Sequence, residues 1–310
     1  MPRFDITIAG ELNLDLILYG LPSELPPERE LLARDMVLTL GSSSAIVAHN
    51  LAALGSRVGF QSRIGDDSLG QMALECLGAS GVDVSKVRRT NAKKTGLTVI
   101  LQREVERNIL TYAGCISELA LNDLDIEYLT DSRHFHLSSF YLQKALQPQI
   151  ANLFRVLKSA GLTISLDTND DPDDEWEGGF LRVLPYVDIL LPNAREAKKL
   201  AGTGDLETAV TRLSEFVPLV VVKLGGQGAM ARRGKEQLTS PAVKVDSIDP
   251  VGAGDSFDAG FLYKFLQGAD LAACLHAGNA AGAFSTTAAG GTEAFRDSAR
   301  MQNFFLEHQS

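Results

Sequence analysis

The sequence predicts an α/β fold, with a mostly parallel sheet covered on both faces and a smaller sheet projecting from it. Three observations carry that expectation. Short apolar runs bounded by turn residues alternate with helix-length segments, the pattern of strands joined by crossover helices. Two stretches with period-2 character interrupt the alternation. Toward the C-terminus the strands stop and three helices follow in succession.

The strand-like runs are Ile6–Ala9, Val58–Ser62, His134–Ser138, Thr163–Asp167, Val187–Leu191 and Leu219–Lys223. Each is short and mainly apolar, as expected of strands buried on both faces. Between them, Ala45–Leu54, Leu69–Gly78, Gln149–Ala160, Ala194–Ala201 and Leu206–Phe216 have helix length. Asp255–Leu266, Leu271–Thr287 and Glu293–Glu307 form the terminal helical run. The interruptions span about 12–40 and about 94–112, the second holding Thr95-Gly-Leu-Thr-Val-Ile-Leu-Gln and Arg107-Asn-Ile-Leu-Thr-Tyr. Both read as strand pairs, and neither carries a helix that would return a strand to the parallel sheet. They are expected to form a lid on a single domain spanning 1–310, with ordinary hairpin insertions as the alternative.

The 310 residues are 45% apolar and 22% charged, ordinary for a globular chain with a large core. A formal charge of −10 argues against nucleic acid as a partner, which calls for a basic footprint. It also obliges an anionic substrate to find a local basic site. Cys76, Cys115 and Cys274 stand far apart without metal or redox spacing, and sparse cysteines fit a reducing cytoplasm. A strand pattern begins at Phe4, so no export signal is expected, and no apolar run approaches the roughly 20 residues of a membrane span. His49, His134 and His136 lack ligand spacing and read as structural. No G-x-x-x-x-G-K-[ST] is present, and no G-x-G-x-x-G follows the first strand, which disfavours a dinucleotide dehydrogenase.

Asp249-Pro-Val-Gly-Ala-Gly-Asp-Ser-Phe-Asp-Ala-Gly260 is the segment richest in chemistry. Gly252, Ala253, Gly254 and Asp255 open a helix. Small residues there free backbone N–H groups to face an anion, which the helix dipole favours. A carboxylate beside such a cradle can take a proton from an attacking hydroxyl. A plain glycine turn with a capping aspartate reads equally from these four residues. Asn193 and Glu196, three apart at a strand-to-helix junction, suit Mg²⁺ as hard oxygen ligands or a capping box. Gly225-Gly-Gln-Gly228 lets the backbone lie close to a nucleotide or simply turn.

Together with six further segments in order, Gly-Ala-Gly-Asp resembles the PfkB/ribokinase family of carbohydrate kinases over nearly the whole chain. These segments are Gly10-Glu-Leu-Asn-Leu-Asp15, Gly41-Ser-Ser-Ser-Ala-Ile-Val-Ala-His-Asn-Leu-Ala-Ala-Leu-Gly55, Arg63-Ile-Gly-Asp-Asp-Ser-Leu-Gly70, Asp167-Thr-Asn169, Leu191-Pro-Asn-Ala-Arg-Glu196 and Lys223-Leu-Gly-Gly-Gln-Gly228, with Gly278-Asn-Ala-Ala-Gly282 and Ala289-Gly-Gly291 beyond them. The resemblance implies a three-layer ribokinase-like sandwich with a β lid, and ATP-dependent phosphorylation of a hydroxyl on a small sugar or polyol. It implies Asp255 as base and the Gly252, Ala253 and Gly254 amides as anion hole. Asn13, Asp15, Gly41 and Ser42 are placed at the substrate. Asn193, Lys223, Gly225, Gly226, Gly228 and Asn279 are placed at the nucleotide. Mg²⁺ is expected at Glu196, through water, and K⁺ at Asp249 with carbonyls from 288–291. The sequence does not fix the oligomeric state, but an exposed lid edge offers a surface for a homodimer.

The sequence also departs from the family pattern. Ser42 stands where a second glycine is usual, Ile46 where a substrate-binding Asn is usual, and Pro250-Val251 where Thr-Thr is common. Asp171 stands where relatives acting on acidic sugars keep Arg. With Asp170 and Asp173 beside it and no cation among Asn13, Asp15, Gly41, Ser42 and Ile46, a neutral acceptor is expected. Arg103 and Arg107 on the lid are the residues that oppose this. A nucleoside kinase on the same fold, needing an aromatic pocket, and a catalytically silent sugar-binding regulator are the alternatives.

Overall fold

The computed structural model describes residues 2–103 and 107–308. Residues 104–106 of the second lid segment, and residues 1 and 309–310 of the expected domain, lie outside the described residues. The strands are β1 (Phe4–Ala9), β2 (Leu14–Tyr19), β3 (Asp35–Leu40), β4 (Val58–Gly65), β5 (Asp83–Thr90), β6 (Leu97–Gln102), β7 (Arg107–Tyr112), β8 (Ser132–Leu137), β9 (Thr163–Leu166), β10 (Ile189–Leu190), β11 (Leu219–Lys223), β12 (Ala229–Arg233) and β13 (Glu236–Ser240). The helices are α1 (Ser43–Ala53), α2 (Ser68–Ala79), α3 (Ile126–Thr130), α4 (Ile150–Ser159), α5 (Phe180–Val183), α6 (Ala194–Leu200), α7 (Leu206–Ser214), α8 (Ala253–Leu266), α9 (Leu271–Ser285) and α10 (Ser298–Glu307).

Among the described residues the main sheet runs β13-β12-β11-β10-β9-β8-β1-β4-β5. It is parallel except for the β11–β12–β13 meander at one edge. Alternate residues feed opposite faces, as the pleat requires. Val220 and Val222 join one core with α4 and α7, whereas Leu219 and Val221 join the other with α1, α2, α8 and α9. Helix α4 shows why such segments fold as they do: Ile150, Leu153, Phe154 and Leu157 are buried on one stripe. Helices α8 and α9 cross closely because both are glycine-bearing. A Cβ on Gly278 would lie 2.7 Å from the Phe257 ring, and one on Gly260 would strike the Ala277 carbonyl.

The two interruptions form the separate sheet β3-β2-β6-β7. β2 pairs antiparallel with β3 and parallel with β6, and Asp15 lies opposite Thr39 and Thr98. Three features were not foreseen. β5 carries Lys86, Arg88 and Arg89, an edge strand whose charges hide its period-2 pattern. The β12–β13 hairpin follows Gly228 directly. The expected helix Glu293–Glu307 is split: a 3₁₀ turn at Glu293–Arg296 precedes α10, whose N-terminus is capped by Asp297.

A polar ladder crosses the apolar sheet between β8 and β9. His134 is hydrogen-bonded to Thr163 at 2.6 Å and Ser165 at 2.7 Å, and His136 to Ser165 at 2.7 Å and Ser138 at 2.8 Å. Burial pushes His134 down to about 3 and His136 down to about 4. Both are therefore neutral in the fold, and the unfolded chain binds more protons below about pH 6.5. The stability each histidine contributes is fully present above that pH and is expected to fall by about 2 kcal/mol between pH 7 and pH 5, against the buried carboxyls of Asp15, Asp255 and Glu196, which act in the opposite direction. Urea unfolding of wild type and His136→Asn side by side checks it: relative to wild type, the variant is expected to gain about 2 kcal/mol on going from pH 7 to pH 5.

Candidate active site

The loop 249–252 and the first turn of α8 form the floor of the site. Gly252 is the N-cap of α8 with φ of 72°, a conformation that glycine tolerates without cost. A Cβ there would lie 2.5 Å from Gly291 Cα and 3.2 Å from Ile46 Cδ1. Ile46 thus fills the space behind the glycines instead of offering a polar group. Asp255 is buried in the first turn, and Asn169 Nδ2 donates to its Oδ1 at 3.4 Å. Burial pushes the Asp255 carboxyl up to about 6. The charges of Asp167 and Glu11 add to this, while Lys223 and a hydrogen bond from Ser43 oppose it.

The lid brings a second carboxylate to the same place. Asp15, at the start of β2, is pushed up to about 7 by burial and by the charge of Asp255, against a hydrogen bond from Thr98. Gly41 has to be glycine, because a Cβ would collide with the Asp15 carboxylate. Ser42 adopts φ of 66°, and its hydroxyl accepts from the Asn13 backbone N–H at 2.8 Å and donates to Asn13 Oδ1. Asn13 Nδ2 then donates to Leu14 O at 3.0 Å and Thr98 Oγ1 at 3.3 Å. Serine at this glycine position therefore orients the Asn13 amide.

Sequence reasoning passed over Glu11, although it stands inside a quoted motif. It is buried and accepts from Ser44 N at 3.1 Å, Ser44 Oγ at 2.8 Å and Ser139 Oγ at 2.8 Å. It ties the opening of α1 to the loop after β8. Asp258 was also passed over. Lys223, placed with the glycine loop by the sequence, turns its ammonium inward instead. Nζ lies 2.6 Å from Asp167 Oδ2 and 3.2 Å from both Asp258 oxygens. It also lies 3.7 Å from where a Gly254 Cβ would be, directly behind the glycines that open α8. Asp167 and Asp258 are fully buried and hydrogen-bonded to one another. Burial raises Asp258 well above the usual carboxylate range, whereas the Lys223 charge holds Asp167 below it. Lys223 thus serves both carboxylates, with burial favouring the neutral form of Asp258.

Gly225 and Gly226 face open space, and Gly228, with φ of 96°, lets the Ser240 carbonyl approach. Asn279 Nδ2 donates to Ser240 O at 3.0 Å and Pro241 O at 3.1 Å, joining α9 to the same edge. Asn193 and Glu196 form the capping box: Asn193 Oδ1 accepts from Arg195 N and Glu196 N, and Glu196 Oε2 accepts from Asn193 N at 2.9 Å. Burial and the charge of Asp167 push Glu196 up to about 7, which a nearby divalent cation would reverse. Among the described residues no cluster of three or more His, Cys, Asp or Glu could cage a metal. The donor set fits Mg²⁺ held mainly by phosphates and water, with one carboxylate in its outer shell.

Asp249, expected at K⁺, has its carboxylate bonded within the protein. Its Oδ2 accepts from Tyr19 OH at 2.6 Å and Gly290 N at 2.9 Å, and its Oδ1 from Val251 N at 3.0 Å. Gly291 O accepts from Asn50 Nδ2 at 3.0 Å and Ser256 Oγ at 3.4 Å. Asp171 accepts from the Asp173, Glu175 and Trp176 backbone N–H groups and closes a turn.

A glycine-opened helix facing two high-lying carboxylates, roofed by a small sheet, is suited to phosphoryl transfer onto a hydroxyl, which needs mainly positioning and a base. The comparisons with known proteins specify the class. The chain belongs to the pfkB family of carbohydrate kinases, whose profile matches residues 3–297. It is 30% identical over 279 residues to the ATP-dependent ribose-1-phosphate kinase of Halopiger xanaduensis, covering 89% of this chain and 90% of that one. It is 27% identical over 319 residues to the ribokinase of Haemophilus influenzae, covering 99% of each. A chain from E. coli described as a ribokinase II, solved with ATP and Mg²⁺, superposes with a TM-score of 0.86 at 23% identity, covering 98% of this chain and all of that one.

Proposed function

We propose that this carbohydrate kinase transfers the γ-phosphoryl of ATP to a hydroxyl of a small neutral sugar or polyol. The observation that carries the reading is Asp255. It is a carboxyl pushed up to about 6, in the first turn of a helix whose N-cap tolerates no side chain. That is close to the working range of a general base. In this reading Asp255 accepts the hydroxyl proton, and the amides of Gly252, Ala253 and Gly254 hold the transferred group. Asn13 and Asp15 orient the acceptor, and Gly41 leaves room for Asp15. Gly225, Gly226, Gly228 and Asn279 form the nucleotide edge. Lys223 serves that edge only from behind, through Gly254. Asn193 and Glu196 would hold Mg²⁺, which supplies positive charge to the phosphates when bound. The kinase relatives named above support ATP as donor.

Neutrality of the acceptor rests on the spending of Lys223 on Asp167 and Asp258, and on two carboxylates at the acceptor end. Arg103 Nη1 donates to Ser23 O at 2.8 Å, a contact within the lid, and Arg107 is exposed. Tyr19, whose hydroxyl is bonded to Asp249, and Tyr112, 56% exposed, are the lone aromatics of segments 12–40 and 94–112, few for the aromatic-rich pocket a nucleoside needs. ADP release over a panel of neutral sugars, polyols, sugar phosphates, sugar acids and nucleosides tests the reading. A sugar phosphate or sugar acid with the highest kcat/KM would overturn the neutral acceptor. No turnover with any of them would favour a silent binder.

Replacement of Glu196 by Gln is expected to raise the Mg²⁺ concentration for half-maximal rate several-fold, with the sugar KM nearly unchanged. An unaltered Mg²⁺ titration would leave Glu196 a helix cap alone. The lid exposes Met36, Leu38, Ile109, Leu110 and Tyr112, which supports a homodimer through this sheet; sedimentation velocity decides it. Free Cys76, Cys115 and Cys274 and ATP as donor support a cytoplasmic setting.

A further inference from the structure

Strand β2 presents alternate residues to the loop that opens α8. Asp15 is in electrostatic contact with Asp255. Ile17, fully buried, packs with Ile100 against Val251. Tyr19 OH donates to Asp249 Oδ2 at 2.6 Å. Neighbouring β3 adds Thr39, which donates to Glu293 Oε1 at 2.8 Å and lies against Gly290. From these contacts we propose that Tyr19 is a positioning residue whose phenol braces the 249–252 loop, and with it the anion hole, filling the place a monovalent cation would otherwise take. The inference rests on reading the start of α8 as the phosphoryl site.

The Asp249 carboxylate is 1% exposed and joins two backbone segments. Val251 N, just before Gly252, binds one oxygen; Gly290 N, just before Gly291, binds the other. Gly291 is the residue against which Gly252 packs. The staple therefore sets the shape of the anion hole. A buried carboxylate short of donors is costly, and a hydroxyl donating to a charged oxygen is a strong bond. Burial and the Asp249 charge raise the Tyr19 phenol far above its ordinary value, so it remains a donor throughout the working pH range. Asp15 and Tyr19 stand on one six-residue strand. An acceptor that orders the first end of the strand orders the brace at the other.

The test compares the wild type with Tyr19→Phe in potassium, sodium and tetramethylammonium chloride at equal ionic strength, reading kcat, sugar KM and Tm. The wild type is expected to show equal kcat and equal Tm in all three salts. The variant is expected to lose about tenfold in kcat in tetramethylammonium, the scale of one lost charge-assisted bond, with sugar KM within about twofold. Potassium is expected to restore its rate and to raise its Tm, as a ligand bound only by the native state does. A potassium-specific gain in rate or Tm in the wild type would overturn the proposal. So would a variant with wild-type kcat in every salt. The Tm comparison needs no sugar, so it still reads if the acceptor assignment fails.

Discussion

Replacing Asp255 by asparagine is expected to lower kcat by at least about a hundredfold while leaving sugar and ATP affinity within a few-fold, the usual consequence of losing a positioned base. Asparagine keeps the shape of the side chain and its contact with Asn169 but cannot accept the proton. The same substitution is expected to stabilise the fold. The carboxyl is pushed up from 3.8 to about 6, so the native state binds more protons between those values. Stability from this group is thus present below its unfolded pKa and lost as pH rises through about 6. At pH 8 the charged, buried carboxylate costs on the order of 3 kcal/mol, which asparagine removes. Denaturant midpoints should rise in the variant at pH 8 and converge with wild type near pH 4. The wild-type kcat should fall below about pH 6 as the base is protonated. A variant with near wild-type turnover would remove Asp255 from the role of base, and unchanged midpoints would mean that its burial costs nothing.

Lys223→Met is expected to give the largest loss of stability, about 3–5 kcal/mol near pH 7, because it leaves the charge of Asp167 buried without a partner. Burial favours the protonated form of Asp258, so Asp258→Asn is expected to cost much less. Urea midpoints of the two variants separate the cases. Equal losses would show that Asp258 is ionised and that Lys223 serves two charges. The lysine also opposes the rise of the Asp255 carboxyl. Any folded Lys223→Met protein should therefore show its acid limb of kcat at higher pH than wild type.

Much of this protein was legible in local pattern. Apolar runs at Ile6–Ala9, Thr163–Asp167 and Leu219–Lys223 read as buried strands, and the period-2 stretches without return helices read as a separate projecting sheet or as hairpin insertions. The glycines at 252 and 254 and the carboxylate at 255 marked the start of α8 because backbone freedom and helix charge are properties of short segments. The edge strand β5 escaped because an edge needs charges, which erase the apolar signature. What only the tertiary structure decided is which polar groups spend themselves on one another. Lys223, read as part of a nucleotide loop, is claimed by Asp167 from the end of β9, two strands away, and by Asp258 from one turn beyond Asp255. Asp171 is consumed by a turn, and Asp249 by a tyrosine 230 residues away in sequence. Local spacing announces a carboxylate or an ammonium. Its partner, and hence its charge state and availability to a ligand, depends on long-range packing that places distant groups within hydrogen-bond reach in a low-dielectric interior.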